Sequence, residues 1–401
     1  MGAEAQEVYF NPWDESFRAN PYPHYRPLLA GPPRIIDGLM PMVLVARYAD
    51  VTAVLRDHQH FSSVQPRTPL FQRRRDVFGD TPTVLFSDPP EHTRLRRLVA
   101  PAFTARRIRD LETRIRAIAE RLLARAEQRG QFEVMADLAN PLPVMVIAEM
   151  LGVPADDYEK FKAWSDIVID GDNTLPPAPF PDSVRHALGA IVEYFQAEVK
   201  KRRECPGDDL VSVLIAAHEE SDQLSEAELM AFIVILLLAG NETTTNLIGN
   251  GMLALGENPG QLELLRARPE LMAGAIEEML RYDSPAQSAV RFVNAGAEVA
   301  GVPVREGSFA FVILAAANRD PAQFPHPDRF DIRRQPNEHL AFSAGIHYCI
   351  GAALARLQAS IAIAGVLARF PRLRLAAPDG ARLYKGSYFL RGLAELPMAI
   401  G

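Results

Sequence analysis

Apolar positions recur every three or four residues over residues 91–130, and the pattern breaks near Pro101. The same helical period returns at 143–168, 183–203, 208–218, 225–257, 260–266 and 269–282. Ser225-Glu226-Ala227-Glu228 forms a capping box that opens the longest of these runs. An alanine-rich helical pattern follows residue 351, with Leu354, Leu357, Ile361 and Val366 on one broad face. Strand signals are fewer. Arg34-Ile35-Ile36 and Met42-Val43-Leu44-Val45 flank Asp37-Gly38 and Pro41, which predicts a small hairpin. A short helix follows at 48–56, and short strands are expected around 289–293, 298–299 and 309–314. Residues 62–83, with Pro66, Pro69, Gly79 and Pro82, and residues 171–181, with four prolines, read as long loops. The pattern therefore predicts a mainly α fold with small β-sheets.

Composition narrows this. With 48% hydrophobic residues in 401, the chain has enough for a large core and too much for disorder. No Gly/Ser linker, low-complexity tract or repeat divides it, so one large domain is expected. Two cysteines, Cys205 and Cys349, cannot build a disulfide framework or a four-cysteine zinc site. Their scarcity fits a reducing cytoplasm; a single disulfide between them is the alternative. Residues 1–18 are polar and acidic without an apolar stretch, unlike a signal peptide. The longest apolar run, 229–240, is short for a membrane span and reads as a core helix. A net charge of 43 − 50 = −7 argues against a nucleic-acid partner.

Candidate chemistry sits where the pattern is interrupted. Cys349 stands in Phe342-Ser343-Ala344-Gly345-Ile346-His347-Tyr348-Cys349-Ile350-Gly351, just ahead of the alanine-rich helix. The positive end of a helix macrodipole favours a thiolate there. Gly345 and Gly351 would let the backbone turn and approach a bound group closely. A lone thiolate so placed suits the axial ligand of a flat haem; an inert buried cysteine is the alternative. Inside the strongest helix, Gly240 costs roughly 1 kcal/mol against alanine. The threonines from Thr243 onward weaken it further through restricted rotamers. Thr243 can donate back to the Ala239 carbonyl. Such a conflict with propensity marks an expected functional site. His92 and Arg96, four apart, share a helical face, and Glu278 and Arg281, three apart, can pair.

The stretch Phe342–Gly351 resembles the haem-binding signature of the cytochrome P-450 monooxygenases, Phe-x-x-Gly-x-[His/Arg]-x-Cys-x-Gly, at every position. Three further stretches match in the family's order: His92-Thr93-Arg94-Leu95-Arg96, Ala239-Gly240-Asn241-Glu242-Thr243-Thr244 and Glu278-Met279-Leu280-Arg281. The resemblance is strongest to the soluble bacterial branch. It implies one P-450-like domain over residues 20–401 after an extension at 1–19, with haem b between the long central helix and the cysteine-loop helix. Cys349 would bind the iron. Phe342, Gly345 and Gly351 would shape its loop, and His92, Arg96, Arg291 and His347 would meet the haem propionates. Ala239 and Gly240 would open a groove for dioxygen. Glu242, where many relatives carry aspartate, and Thr243 would be the acid and alcohol of proton delivery. Glu278 and Arg281 would be buried structural support. Substrate contacts are expected from Phe71, Val77, Phe78, Val84 and Leu85, from Trp164, Ile167 and Val168, and from Leu236, Val290, Tyr388 and Phe389, about half of them being ordinary core.

The implied activity inserts one atom of O2 into an apolar organic substrate, by hydroxylation or epoxidation. Electrons would come from NAD(P)H through a ferredoxin reductase and a ferredoxin, in the cytoplasm, with no membrane and with the enzyme a monomer. Arg96, Arg97, Arg106, Arg107 and Arg109 would form the ferredoxin's basic docking face. Arg67, Arg73, Arg74 and Arg75 read as a solvated loop, with reception of an acidic substrate as the alternative. The two long loops would gate the pocket. A peroxide-driven peroxygenase is one alternative, which the intact Glu242–Thr243 pair disfavours. A non-catalytic haem-binding sensor is another; it would bind haem without NAD(P)H-linked product.

Overall fold

A computed structural model of the chain describes residues 10–12, 14–37, 41–68, 77–171, 180–218, 223–378, 380–385 and 389–400. Helices dominate, as the periodicity predicts. In chain order the elements that position the site are α1 (Tyr22–Leu29), β1 (Arg34–Ile36), β2 (Met42–Val45), α2 (Tyr48–Arg56), β3 (Phe61–Ser62), α3 (Glu91–Val99), α4 (Glu112–Arg129) and β4 (Phe132–Glu133). They continue with α5 (Pro141–Met150), α6 (Tyr158–Gly171), α7 (Asp182–Glu204), α8 (Leu210–His218), α9 (Glu226–Glu257), α10 (Met272–Tyr282), β5 (Ala289–Val293), β6 (Phe309–Val312), α11 (Ala352–Arg369), β7 (Arg374–Leu375) and β8 (Pro397–Ala399).

The main core is organised on α9, which packs against α5, α7, α10 and α11. Its predicted capping box is present. Ser225 Oγ accepts from Glu228 N at 3.2 Å, and Glu228 Oε2 accepts from Ser225 N at 2.6 Å. Arg94 on α3 reaches the same Glu228 carboxylate, tying α3 to the start of α9. Both α9 and α11 are long and apolar enough to cross a membrane. The helix that contains the 12-residue apolar run is thus far longer than the run itself, and burial in the core accounts for its composition.

A five-stranded sheet, in the order β1-β2-β6-β5-β3, forms the second layer. The predicted hairpin pairs antiparallel, with Ile35 opposite Val43. β2 and β6 run parallel, and β6 pairs antiparallel with β5, Arg291 lying opposite Ala310. Period-two alternation gives this sheet two buried faces. Val43, Val45, Ala310 and Val312 join the cluster that includes α2. Leu44 and Phe311 join Phe17, Tyr25 and Leu28 from the N-terminal helices. Phe17, before Asn20, is only 2% exposed. A small sheet, β4-β8-β7, closes the end of the chain.

Three segments differ from the pattern. The run at 143–168 is two helices, because Gly152 at φ +68 takes the chain out of α5. Residues Met135–Ala139 form a wide helical turn that periodicity does not announce. The strand expected to reach residue 314 stops at Val312, and Leu314–Ala317 is a helical turn. Of the two long loops, residues 69–76 and 172–179 fall outside the described residues.

Candidate active site

An apolar cavity with about 1440 Å³ of empty volume lies between α9 and the cysteine loop. Phe232, Ile235, Leu236, Ala239, Gly240, Thr243 and Leu247 line it from α9. Their spacing of three and four is that of one helix face. From Glu228 to Leu255, every α9 residue except Leu238, Ala239, Gly240 and Thr243 is buried. The place where the sequence conflicts with helix propensity is therefore where the central helix opens. Thr243 Oγ1 donates to the Ala239 carbonyl at 2.8 Å, as expected, and Thr244 Oγ1 donates to Gly240 O at 3.1 Å. Thr245 turns away, to Ala139 O. A Cβ on Gly240 would sit 3.0 Å from Ile147 Cδ1, so glycine also suits the packing of α5. Glu242 is 7% exposed and is not among the cavity-lining residues.

The cysteine loop supplies another wall. Phe342, His347, Cys349, Ile350, Gly351 and Leu354 line it. Cys349 N donates to Phe342 O at 3.0 Å, closing the loop just before α11. Gly345 has φ +69, and a Cβ there would lie 2.6 Å from Leu55 O. Its close approach is thus to the end of α2, not to a ligand. Gly351 has an ordinary φ of −85 and lies beside the sulfur, where a Cβ would stand 3.9 Å from Sγ. Ser343 also adopts a left-handed conformation, φ +64, which costs a non-glycine residue roughly 1–2 kcal/mol. Burial raises the Cys349 thiol's pKa above its usual value, and the N–H groups of Gly351 and Ala352 with Arg96 and Arg356 oppose that rise. Burial thus opposes the thiolate that the helix start favours, and a bound metal cation would favour it.

Four basic groups gather at one end of the site. The rings of His92 and His347 lie with centroids 4.3 Å apart and are tilted by 53° to each other. Arg96 donates to Tyr348 O at 2.7 Å. Arg291, 8% exposed, donates to Val290 O at 2.9 Å. Burial, reinforced by positive Arg291, His92 and Arg96, pushes His347 down to about 3. Burial also lowers His92, with Arg96 adding to it, and lowers Arg291 to about 10, against the pull of Asp88. Both ring nitrogens of His92 and Nε2 of His347 have no hydrogen-bond partner. Two guanidiniums beside buried imidazoles whose ring nitrogens lack partners suit a ligand bearing carboxylates. Cavity, sulfur and cationic end together fit a haem.

Beneath the loop, Glu278 and Arg281 are both fully buried. Arg281 bonds both Glu278 oxygens at 2.8 Å and reaches the carbonyls of Asn318, Pro327 and Arg329. Glu278 also accepts from Arg334, Asn337 and the Asp331 N–H. The pair ties α10 to the long segment before the cysteine loop. A neighbouring group escapes the sequence motifs. Arg356 on α11 bonds both Glu277 oxygens and the Tyr348 hydroxyl, and lies over the Phe342 ring.

The substrate residues divide. Val84, Leu85 and Leu236 line the cavity; Phe71 and Tyr388 lie outside the described residues. Val168 is 3% exposed in the main core. Val290 points to the other side of β5 from Arg291 and packs with the N-terminal helices, a consequence of strand alternation. Phe389 stacks on Phe311 at 5.9 Å in that same cluster. Phe103, Phe232, Ile235, Ala289 and Leu314 line the cavity but carry no sequence motif. The helical spacing of Phe232 and Ile235 with Leu236 was the available signal. Trp164 packs edge-on to Tyr194. Of the five arginines expected to dock a partner, Arg96 turns to the site. Arg106 and Arg107 border a groove shared with Asp110, Glu149, Asp208 and Asp209, so that patch is of mixed sign. In the first loop, Arg67 pairs with Asp80 at the surface.

The model of the cytochrome P450 family matches residues 32–375. Cytochrome P450 107B1 of Saccharopolyspora erythraea is 43% identical over 92% of this chain and 91% of its own length. The vitamin D(3) 25-hydroxylase of Pseudonocardia autotrophica is 41% identical, covering 96% of this chain and 95% of that one. Among solved structures, the Bacillus subtilis bacillaene polyketide synthase cytochrome P450 PksS superposes with a TM-score of 0.89 at 36% identity, over 98% of this chain and all of that one. With its helical fold, its sulfur-bearing cavity and these likenesses in agreement, the chain belongs to the cytochrome P450 family, oxidoreductases that bind haem b and draw NAD(P)H-derived electrons through partner proteins.

Proposed function

We propose that this protein is a haem-thiolate monooxygenase for an apolar organic substrate, hydroxylated or epoxidised with electrons from a ferredoxin, and that residues 20–401 form its haem domain. The observation that carries this is the placement of Cys349 and Thr243 on the walls of one apolar cavity. When bound, the haem supplies the activation of O2 and the insertion of one oxygen atom, the other leaving as water. Cys349 is the thiolate ligand. His92, Arg96, Arg291 and His347 hold the haem carboxylates, which answers the unused donors at that end of the site. Thr243, exposed to the cavity at the opening of α9, positions a proton donor, and the buried Glu242 relays protons to it. Val84, Leu85, Leu236 and their neighbours exclude water and accept the substrate's carbon skeleton. The ferredoxin docks beside Tyr348, which is 42% exposed and adjacent in sequence to Cys349. The name of the Pseudonocardia relative, a hydroxylase, agrees with this class of chemistry. Reduced, CO-treated protein should absorb near about 450 nm, the mark of a thiolate ligand. The band should vanish in Cys349→Ala, and its survival there would refute the ligand assignment.

A further inference from the structure

A charged clamp outside the sequence motifs grips the cysteine loop. Arg356 follows Cys349 by seven residues, about two helical turns, and helical side chains lean back toward the N-terminus, so α11 returns it to the loop. Its Nε and Nη2 donate to the two Glu277 oxygens at 2.7 and 2.8 Å, and its Nη1 donates to the Tyr348 hydroxyl at 3.3 Å. Its Cζ stands 4.5 Å from the centroid of the Phe342 ring, where a cation meets the ring's negative face. Phe342 and Cys349 are themselves joined, Cys349 N donating to Phe342 O at 3.0 Å, and both line the cavity. His339 Nε2 lies 3.2 Å from Glu277 Oε2 and holds the carboxylate from its other side. Arg356 is not among the cavity-lining residues, so it meets no substrate. Its side chain is only 32% exposed, which leaves its charge incompletely screened, and that charge is felt at the Cys349 sulfur.

We propose that Arg356 is a positioning residue whose charge, fixed by Glu277 and Tyr348 against Phe342, raises the reduction potential of the haem iron. This rests on the haem-thiolate reading above. Reduction adds one electron, from an external one-electron donor, at an iron whose electron density the thiolate increases. A fixed positive charge on the sulfur's side stabilises the added negative charge and favours the reduced state. The Glu277 carboxylate acts with the opposite sign and from behind the guanidinium. A clamp that only held the loop in shape would behave differently, because removing either partner breaks the same ion pair.

The test is the midpoint potential of the haem-loaded protein, from a dithionite titration followed at the Soret band. Arg356→Gln keeps a hydrogen-bond donor without the charge. It should lower the potential, shifting the reduction equilibrium about 2- to 5-fold toward the oxidised state, the scale of a partly exposed charge interaction. Glu277→Gln should shift it the other way. Arg356→Lys keeps the charge without the planar fork; its potential should stay close to that of the wild type even where its Tm falls. No shift in Arg356→Gln, shifts of the same sign in Arg356→Gln and Glu277→Gln, or a drop in Arg356→Lys as large as in Arg356→Gln would overturn the inference. Where Arg356→Gln does not hold haem, Glu277→Gln decides alone: a raised potential supports the inference, and an unchanged or lowered one overturns it. The CO-difference band of the wild type separates the two levels. If it is present, such results sink only the role of Arg356; if it is absent, the haem-thiolate reading fails and this inference with it.

Discussion

Thr243 shows how one side chain does two things. Its hydroxyl satisfies the Ala239 carbonyl at 2.8 Å, and its position places it on the cavity in the short stretch where α9 is not buried. Thr243→Ala should leave the haem and the ligand-induced Soret shifts intact. It should still consume NAD(P)H but release more hydrogen peroxide per product, because positioned proton transfer typically contributes about 10²–10⁴-fold. Wild-type coupling of electrons to product in that variant would rule out the role, provided Thr243→Ala/Thr244→Ala behaves the same way. Glu242→Gln should slow product formation and raise the solvent isotope effect. Its buried place, off the cavity lining, suits the proposed relay better than a group that meets substrate.

At the scale of elements, the cysteine loop depends on supports that sit away from the sulfur. Arg281 holds Glu278 and three carbonyls of the segment before the loop without any exposure to solvent. Arg281→Met strands these acceptors and should destabilise the fold by about 3–5 kcal/mol, seen as a lower Tm and poor haem retention. A change within 1 kcal/mol (roughly the worth of an exposed pair) would show that Arg334, Asn337 and the Asp331 N–H together satisfy Glu278. Glu277 gives a pH dependence. Burial acts to raise its carboxyl, but hydrogen bonds from Arg356 and His339 outweigh burial and hold it at about 2. Its folded pKa lies below its ordinary value, so its contribution to stability is complete above about pH 4.5. That contribution falls away as the pH drops toward about 2. Thermal melts from pH 5 to 3 should fall less steeply for Glu277→Gln than for the wild type; parallel curves would exclude it.

Across the whole molecule the charge is net negative, 43 − 50 = −7, yet the surface around the cysteine loop has its own character. Arg106 and Arg107 share their groove with four carboxylates, which weakens them as a docking face. Arg97, exposed on α3 beside Arg96, is better placed. Arg97→Glu should slow ferredoxin-supported reduction several-fold at low ionic strength and less at high salt, since exposed charges are screened beyond about 10 Å at 0.1 M. Peroxide-supported turnover should be spared. Equal loss in both assays would point to a haem defect instead of docking.

The helices, the capping box of α9, the hairpin and the order of the motifs were legible in the sequence, because each depends on residues within a few positions of one another. So was the opening in α9, where Gly240 and the threonines oppose helix formation locally. Tertiary structure decided which side of each element faces the cavity. Val290 and Arg291 are adjacent and necessarily point apart on a strand, yet only the pairing of β5 with β6 says which of them turns toward His92 and His347. Val168 and Phe389 have the apolar character of substrate contacts, but long-range neighbours claim them for the core. Gly345 looked like room for a ligand and proved to be room for the Leu55 carbonyl, nearly 300 positions earlier in the chain. Local chemistry chose the elements and the reactive side chains. Burial, which depends on contacts between distant segments, chose which of them meet in the site.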